Sequence, residues 1–93
     1  LQGKPVYLTV DLDVLDPSVF PGTGTPEPGG VTFDALRSAL TKACTVLDVV
    51  AADVNELSPH YDQSGASTAV ACKIVREMLI ALSARIQKAD NAF

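Results

Sequence analysis

An apolar run that ends in two aspartates constrains the fold more than any other feature of the sequence. Val6–Leu12 is apolar on both faces apart from Thr9 and the Asp11 near its end, as is typical of a parallel strand covered by helices on both sides. Successive strand residues point to opposite faces, so Asp11 and Asp13 are predicted to point the same way. Two neighbouring carboxylates repel unless a cation or a shared proton lies between them. The stretch therefore predicts a hard-cation site at the end of a buried strand.

A helix, a second strand and a second helix are predicted to follow. Apolar residues at helical spacing predict a helix over residues 32–46. The valine- and alanine-rich residues 46–57 predict another buried strand. An apolar face repeats through residues 67–87 and predicts a last helix, with Ser67 or Thr68 as its N-cap.

The order β-α-β-α predicts a parallel sheet with right-handed crossovers and therefore an α/β fold. The chain of 93 residues forms one small domain at most, and its two strands and two helices cannot cover both faces of a sheet. Further strands are expected from elsewhere, and the absence of an initiator methionine also suggests part of a longer protein. Loops after both strands lie at the same sheet edge, where α/β folds bind ligands. This geometry predicts that Asp11, Asp13 and Glu56 approach one site.

Charge and cysteine usage exclude several classes of protein. The net charge is −4 and no basic patch is present, so we expect no nucleic-acid partner. The sequence shows no signal peptide and no apolar span of membrane length, so a cytoplasmic protein without a membrane partner is expected. Cys44 and Cys72 form no CxxC pair and have no nearby histidine. That spacing disfavours zinc and predicts reduced, buried thiols.

The segment between the first strand and the first helix holds most of the prolines and glycines. Loops this long are usually functional or disordered, and here the prolines stiffen the path while the glycines allow tight turns. We expect Asp13–Val31 to be an ordered active-site loop. Asp16 precedes Pro17 within it, and aspartate before proline commonly initiates a turn, so Asp16 is assigned a structural role.

The second strand and the loop after it contain three further polar candidates. Glu56 is either solvated or, pointing into the same cleft as the aspartates, holds a cationic substrate group by a bidentate pair. Asp53 is expected to be a structural, hydrogen-bonded residue. His60, the only histidine, is expected to have a surface or packing role, with metal or acid/base chemistry as the less favoured interpretation.

Two alternative functions compete with a metal-dependent enzyme of unknown substrate. The sequence DLDVL is similar to the first motif of haloacid-dehalogenase-like phosphatases, in which Asp11 would be the nucleophile and Asp13 the acid/base. Those enzymes need a downstream lysine and an acidic pair for magnesium, whereas Lys73 lies mid-helix and no such pair follows. The other alternative is a non-catalytic folding or oligomerisation unit with unmetallated aspartates.

A set of spaced positions runs through the first strand and its loop: Thr9-Val10-Asp11-Leu12-Asp13, Pro17, Pro21-Gly22 and Gly30. In type and spacing these positions resemble the ureohydrolase signature of the arginase and agmatinase family. A second block, DVNELSP at residues 53–59, resembles the family's later D-x-x-E-x-x-P segment. The resemblance covers nearly the whole chain, from about Val6 to Leu82, and is far more specific than a lone pair of aspartates.

This resemblance implies a three-layer α/β/α arginase-like fold, of which residues 1–93 would be the C-terminal part. It also implies two manganese ions bridged by a hydroxide that attacks a guanidinium carbon, because the metals lower the pKa of water. By the same resemblance, Asp11 would bridge the two metals and Asp13 would bind one of them. Glu56 would hold the guanidinium, and Thr25 would line the site. No side chain is assigned a catalytic role beyond these.

Within the family, the residues after Glu56 look more like those of agmatinases than of arginases. Agmatinases split agmatine into putrescine and urea, a step of polyamine biosynthesis. Guanidinobutyrase and formimidoylglutamase remain alternatives, because the family's elements that read the substrate tail lie mainly upstream. Asn55 departs from the apolar residue usual at its position, which bears on the substrate subclass more than on the fold. The positions that carry the likeness are Ser58-Pro59, Tyr61-Asp62 and Gln63-Ser64.

The family's other metal ligands come from an upstream histidine and an Asp-x-His-x-Asp segment, and this chain contains neither. The chain therefore carries at most two of the protein ligands. The isolated chain is predicted to be unable to assemble the dimetal centre or turn over substrate. Family members commonly form trimers or hexamers, so a homo-oligomer is expected for the full-length protein.

Overall fold

The computed structural model describes residues 1–91, which form two strands, two long helices and two short 3-10 turns. The predicted order β-α-β-α and the α/β fold are confirmed. The elements are β1 (Pro5–Asp11), a 3-10 turn (Leu12–Val14), α1 (Phe33–Val46), β2 (Asp48–Asn55), a 3-10 turn (Pro59–Tyr61) and α2 (Ala66–Asn91).

Strands β1 and β2 pair in parallel over their whole length. The register runs from Pro5 opposite Asp48 to Asp11 opposite Asn55, with an irregularity directly after Val6. Parallel neighbours require a crossover connection, which α1 supplies. The two strands therefore finish side by side, and the segments that follow them start from the same edge of the sheet.

The core lies on one face of this sheet, beneath both helices. On the opposite face Tyr7 is 61% exposed and Val50 is 64% exposed, so no described element covers it. Both helices pack on the same side and against each other, which agrees with the expectation that two helices cannot cover both faces of the sheet. Coverage of the other face in a longer protein stays a prediction. The cluster of buried residues is Val10, Leu12, Leu15, Phe20, Leu40, Cys44, Ala71, Ile74, Met78 and Ala81.

The element boundaries differ from those the sequence predicts. Strand β1 ends at Asp11, one residue early, because the chain turns into a 3-10 conformation there. Strand β2 has 8 residues and is shorter at both ends than the predicted 46–57. Helix α2 continues to Asn91, past the predicted end at Gln87.

The start of α2 is held by Ser64 rather than by the predicted caps. The Ser64 hydroxyl accepts a hydrogen bond from the Ala66 amide at 3.1 Å, which satisfies one free donor of the first turn. Ser67 is fully buried instead, and its hydroxyl accepts from the Gly22 amide at 2.8 Å. Ser67 thus ties α2 to the loop that follows β1, and Thr68 makes no cap contact among the described residues.

Only one of the two cysteines is buried. Cys44 lies in the core with no exposed surface, and burial raises the pKa of its thiol. Cys72 is exposed on α2. The prediction of two buried thiols is right for Cys44 and wrong for Cys72, because no described element packs over that side of α2.

The long loop after β1 is ordered around Asp16, and the structural role predicted for this residue is confirmed. Its carboxylate accepts hydrogen bonds from the Ser18 hydroxyl and amide, the amide at 3.0 Å. It also accepts from the amides of Gly29 and Gly30, at 2.9 and 3.3 Å. These bonds, Ser18 foremost, lower the pKa of Asp16 to about 2 from its ordinary 3.8.

A second carboxylate, Asp62, organises the turn before α2. One oxygen accepts from the hydroxyl and amide of Ser64 at 2.6 and 3.2 Å. The other accepts from the hydroxyl and amide of Ser67 at 2.6 and 2.9 Å. These bonds lower the pKa of Asp62 to about 2 from 3.8, and the Ser64 hydroxyl contributes most. Both loops at this edge of the sheet therefore depend on an ionised aspartate.

We expect the free energy of unfolding to fall steeply as the pH drops from about 4 to about 2. Folding lowers the pKa of Asp16 and of Asp62 from 3.8 to about 2. Their contribution to the free energy of unfolding is therefore complete above pH 3.8, and it is lost as the pH falls through the folded pKa of about 2. The double variant Asp16→Asn/Asp62→Asn should be less stable at pH 7 and should show a shallower acid transition in urea unfolding. Asp90→Asn, an exposed change near the end of α2, is the control. An equally steep transition in the double variant would refute this account.

Candidate functional site

The first predicted metal ligand, Asp11, is the last residue of β1 and is exposed. It stands at the position of an N-cap for the following 3-10 turn, but its side chain makes no capping hydrogen bond. None of the ion pairs formed within residues 1–91 includes it. The two structural roles that could have explained this aspartate, a helix cap or a pair with arginine, are therefore not found in the described part of the chain.

The second predicted ligand, Asp13, lies in the 3-10 turn rather than on the strand. A hydrogen bond from the Leu15 amide to the Leu12 carbonyl closes that turn at 3.0 Å. The strand-alternation argument for Asp11 and Asp13 pointing the same way is therefore wrong, since it applies only to extended backbone. Leu12 is fully buried between them, which anchors the turn and sets where each carboxylate starts.

Thr25, predicted to line the site, contacts Asp13 directly. Its hydroxyl donates to Asp13 Oδ2 at 2.8 Å. This bond joins the Pro/Gly-rich loop to the 3-10 turn across 12 residues of sequence. It leaves the second carboxylate oxygen of Asp13 without a partner among residues 1–91, and it restricts the rotation of the Asp13 side chain.

Glu56, the predicted substrate ligand, follows β2 in an unusual backbone conformation. Its φ is +83°, which makes Glu56 the one non-glycine residue of the described chain with a left-handed backbone. Left-handed backbone at a residue other than glycine, asparagine or aspartate is costly and is commonly retained at functional sites. Glu56 is exposed, and residue 55 immediately before it is the register partner of Asp11. The end of β1 and the start of the Glu56 turn are therefore immediate neighbours.

These side chains do not by themselves form a complete metal site. Among residues 1–91, no group of three or more His, Cys, Asp or Glu side chains could hold a metal ion. The donor chemistry nevertheless fits a hard divalent cation, since two carboxylates stand free or nearly free at one sheet edge and manganese prefers oxygen ligands. A metal ion held by these two carboxylates would need further ligands from outside the described residues.

A hydrogen-bonded cluster lies beside this edge, on the open face of the sheet. Asp53 accepts from the hydroxyls of Tyr7 and Thr9, the latter at 2.6 Å, and from the Asn55 side-chain amide. These bonds, Thr9 first and Tyr7 second, lower the pKa of Asp53, and the bond to Asp53 raises the pKa of Tyr7. The structural, hydrogen-bonded role predicted for Asp53 is confirmed.

Tyr7, Thr9 and Asn55 were not predicted as partners of Asp53. They come from two strands, and only the parallel register places Thr9 opposite Asp53 and the end of β1 opposite Asn55. A signal was present in the sequence, namely polar residues at alternate positions of each strand. It could be interpreted only once the irregularity after Val6 was known, because that irregularity sets the register.

His60 lies in the 3-10 turn after β2, where it is exposed. Its ring centroid lies 4.1 Å from that of Tyr61, at an interplanar angle of 38°. This contact confirms the expected surface or packing role. An apolar groove of about 570 Å³ between β2 and α2, which includes Leu57, Val75 and Leu79 in its lining, contains none of the predicted site residues.

The sequence of this chain is similar to those of known enzymes over most of its length. The model of the arginase family matches residues 1–81. An agmatinase of Bacillus anthracis is 49% identical over 81 residues, which are 86% of this chain and 28% of that enzyme. No helix within residues 1–91 is long and apolar enough to span a membrane.

Two solved structures show the same architecture. Proclavaminate amidino hydrolase from Streptomyces clavuligerus superposes with a TM-score of 0.82 and 41% identity, covering 87% of this chain and 27% of that one. Arginase from Bacillus caldovelox superposes with a TM-score of 0.74 and 32% identity, covering 81% of this chain and 25% of that one. The chain thus spans between a quarter and a third of the length of these relatives.

Proposed function

The chain belongs to the arginase family, and from that premise we propose that it is the C-terminal part of one ureohydrolase domain. The complete protein would hydrolyse a guanidino C–N bond and release urea. The observation that carries this proposal is the pair Asp11 and Asp13 at the end of β1, one free of structural partners and the other oriented by Thr25. Two carboxylates this close in sequence repel each other unless a cation or a shared proton lies between them.

Two manganese ions are the proposed cofactor, and carboxylate oxygens suit them. Asp11 would be shared between the two ions and Asp13 would hold one, with the remaining ligands supplied by upstream parts of the protein. When bound, such a pair supplies an activated water and stabilises developing negative charge. The Thr25 hydroxyl prepares Asp13 for this task, because it occupies one oxygen and restricts rotation of the carboxylate.

Glu56 is proposed to bind the guanidinium group of the substrate. A carboxylate accepts two parallel N–H bonds from a guanidinium, which fixes its plane as well as its position. The left-handed backbone of Glu56 supports this role, since the surrounding structure holds the residue in a conformation that glutamate rarely adopts. In the reaction, water adds to the guanidinium carbon and the bond from that carbon to the alkylated nitrogen breaks. The products are urea and an amine.

Agmatine is the proposed substrate, with putrescine as the amine product of the complete protein. The likeness to the Bacillus anthracis agmatinase supports this choice. Guanidinobutyrate and formimidoylglutamate are the alternatives, because the elements that would read the substrate tail are expected mainly upstream of this chain. A cytoplasmic homo-oligomer, trimeric or hexameric and without nucleic-acid or membrane partners, completes the proposal.

The test is an assay of the complete polypeptide that contains these residues. We expect manganese-dependent urea release, with a higher kcat/KM for agmatine than for arginine or 4-guanidinobutyrate, and loss of activity on chelation. The isolated 93-residue chain serves as the control and should release no urea. Urea release by the isolated chain would overturn its assignment as a part of the catalytic domain. No urea from any of the three compounds would overturn the proposed guanidino hydrolysis.

The two alternatives receive less support from the structure. A phosphatase would need a lysine at the site, but Lys73 lies in α2 and pairs with Glu77 at 3.2 Å. The phosphatase alternative would nonetheless be favoured if the protein released phosphate from a phosphomonoester and Asp11→Asn abolished that release. A non-catalytic folding or oligomerisation unit gives no reason for the left-handed Glu56 or for an oriented Asp13.

A further inference from the structure

We propose that Asp53 is a positioning residue that fixes the end of β1 against the end of β2, and thereby sets the separation of Asp11 from Glu56. The inference rests on the proposed function, since it concerns the same site. It assigns no contact with substrate or metal to Asp53. Its basis is the hydrogen-bonded cluster of Tyr7, Thr9, Asp53 and Asn55, which we call the strand-end cluster.

The strand-end cluster joins both strands through one carboxylate. Asp53 Oδ1 accepts from the Thr9 hydroxyl at 2.6 Å and from the Asn55 amide, while Oδ2 accepts from the Tyr7 hydroxyl. Two of the donors belong to β1 and one to β2. A carboxylate that takes three donors has little capacity left for a ligand, so its role is to hold its neighbours.

The donors lie directly beside the proposed functional residues. Thr9 is two positions before Asp11, so both project from the same face of β1. Asn55 is the register partner of Asp11, and it is the last residue before the left-handed turn at Glu56. The Asn55 amide also lies 3.4 Å from the Thr9 hydroxyl, which closes the cluster across the strand pair. Movement of Asp53 would therefore reach both Asp11 and Glu56.

The cluster lies on the face of the sheet that no described helix covers. Within residues 1–91, apolar packing therefore specifies the register from the other face alone. The irregularity after Val6 shows that the pairing is not uniform, and a slip by one residue would turn each side chain to the wrong face. A charged acceptor with three donors gives the open face its own constraint, and such charge-assisted bonds are about twice as strong as neutral ones.

Asn55 supplies the third donor to Asp53 through its side-chain amide. The same amide holds the backbone just before Glu56, where φ changes sign. Asn55 is thus assigned to the positioning of Glu56 rather than to recognition of the substrate.

The test uses the complete protein and four variants. Asp53→Asn exchanges one acceptor oxygen for an amide, and Thr9→Val removes a donor while keeping the side-chain shape. Thr9→Ser keeps the hydroxyl. Asp48→Asn makes the same chemical change as Asp53→Asn at the other end of β2, where Asp48 pairs with Arg85 at 3.2 Å. The measurements are kcat and KM for urea release, the Mn²⁺ dissociation constant by calorimetry, and the Tm of the metal-free protein.

We expect Asp53→Asn and Thr9→Val to lower kcat/KM and to weaken Mn²⁺ binding by roughly 10- to 100-fold, as is typical for residues that orient metal ligands. Thr9→Ser should stay within a few-fold of the wild type, and Asp48→Asn should leave kcat/KM unchanged. If the first two variants lower the Tm but change neither Mn²⁺ affinity nor kcat/KM, the cluster is only a structural tie and the inference is wrong. If the wild type releases no urea, the proposed function fails, and the Mn²⁺ affinities of the same variants still decide the role of Asp53.

Discussion

Asp11→Asn in the complete protein is expected to abolish measurable urea release while leaving the fold intact. The carboxylate makes no hydrogen bond or ion pair that supports the structure of residues 1–91, so its replacement removes ligand capacity and little else. The loss should exceed the roughly 10- to 100-fold cost of changing a residue that merely supports a ligand. The assay is urea release at saturating Mn²⁺, with circular dichroism and Tm measured on the same samples.

Asp34→Asn is the matched control for this experiment. Asp34 lies in the first turn of α1 and forms an exposed pair with Arg37 at 3.7 Å, which contributes little to stability. This variant should retain wild-type activity. An Asp11→Asn protein that keeps more than a tenth of the wild-type kcat/KM would show that Asp11 is not a metal ligand. A collapse in Tm would show that its role is structural.

Gly30→Ala is expected to have the largest effect on stability of any single methyl addition in the loop after β1. A Cβ at residue 30 would lie 2.5 Å from the Asp16 amide nitrogen, 2.6 Å from the Leu15 carbonyl carbon and 2.6 Å from the Val14 oxygen. All three are backbone atoms, so no side chain can rotate away. The Asp16 amide donates to Val31 and the Val31 amide to Val14, at 3.0 and 2.9 Å, and both bonds would be strained.

The expected cost of Gly30→Ala is about 3 kcal/mol or more, at the upper end of the range for overpacked sites. Urea unfolding of the complete protein would measure it. Gly24→Ala is the control in the same loop, since its nearest neighbour would be the Tyr61 ring at 3.9 Å, an ordinary contact. Equal stability of the two variants would contradict the close approach of residue 30 to the backbone of residues 14–16.

The sequence predicted the elements of this fold better than their ends. Each strand was predicted from an apolar run and each helix from an apolar face that repeats along it. Such patterns extend over many residues, so a single exceptional residue does not change the prediction. The position where β1 ends does not follow from its composition, because Leu12 is as apolar as the strand before it. The chain leaves the strand at Leu12 because that side chain is buried in the core and the Leu15 amide bonds to the Leu12 carbonyl.

In the candidate site, too, residue types could be predicted from the sequence but contacts could not. Residue type, spacing and family resemblance predict Asp11, Asp13, Glu56 and Thr25 as site residues, and their roles stay predictions. The bond from Thr25 to Asp13 and the left-handed conformation of Glu56 were not predicted, because both depend on where a loop returns in space. The strand-end cluster likewise needed the parallel register, which no local pattern specifies.

The open face of the sheet could be predicted from a count of elements. Two helices cannot cover both faces of a strand pair, and the structure leaves Tyr7 and Val50 uncovered. The alternation of β1 also indicates which side stays open, since Tyr7, Thr9 and Asp11 on one face are exposed and the apolar residues of the other face are less so.

The left-handed backbone at Glu56 places selection for stability in conflict with selection for a carboxylate at this position. At φ +83° glycine would relieve the conformational cost, whereas only a long carboxylate could serve the proposed ligand role. In a lineage that kept the fold but lost the chemistry, this codon should drift toward glycine or asparagine. Glutamate retained at this position in a diverged copy would thus record continued use of its carboxylate.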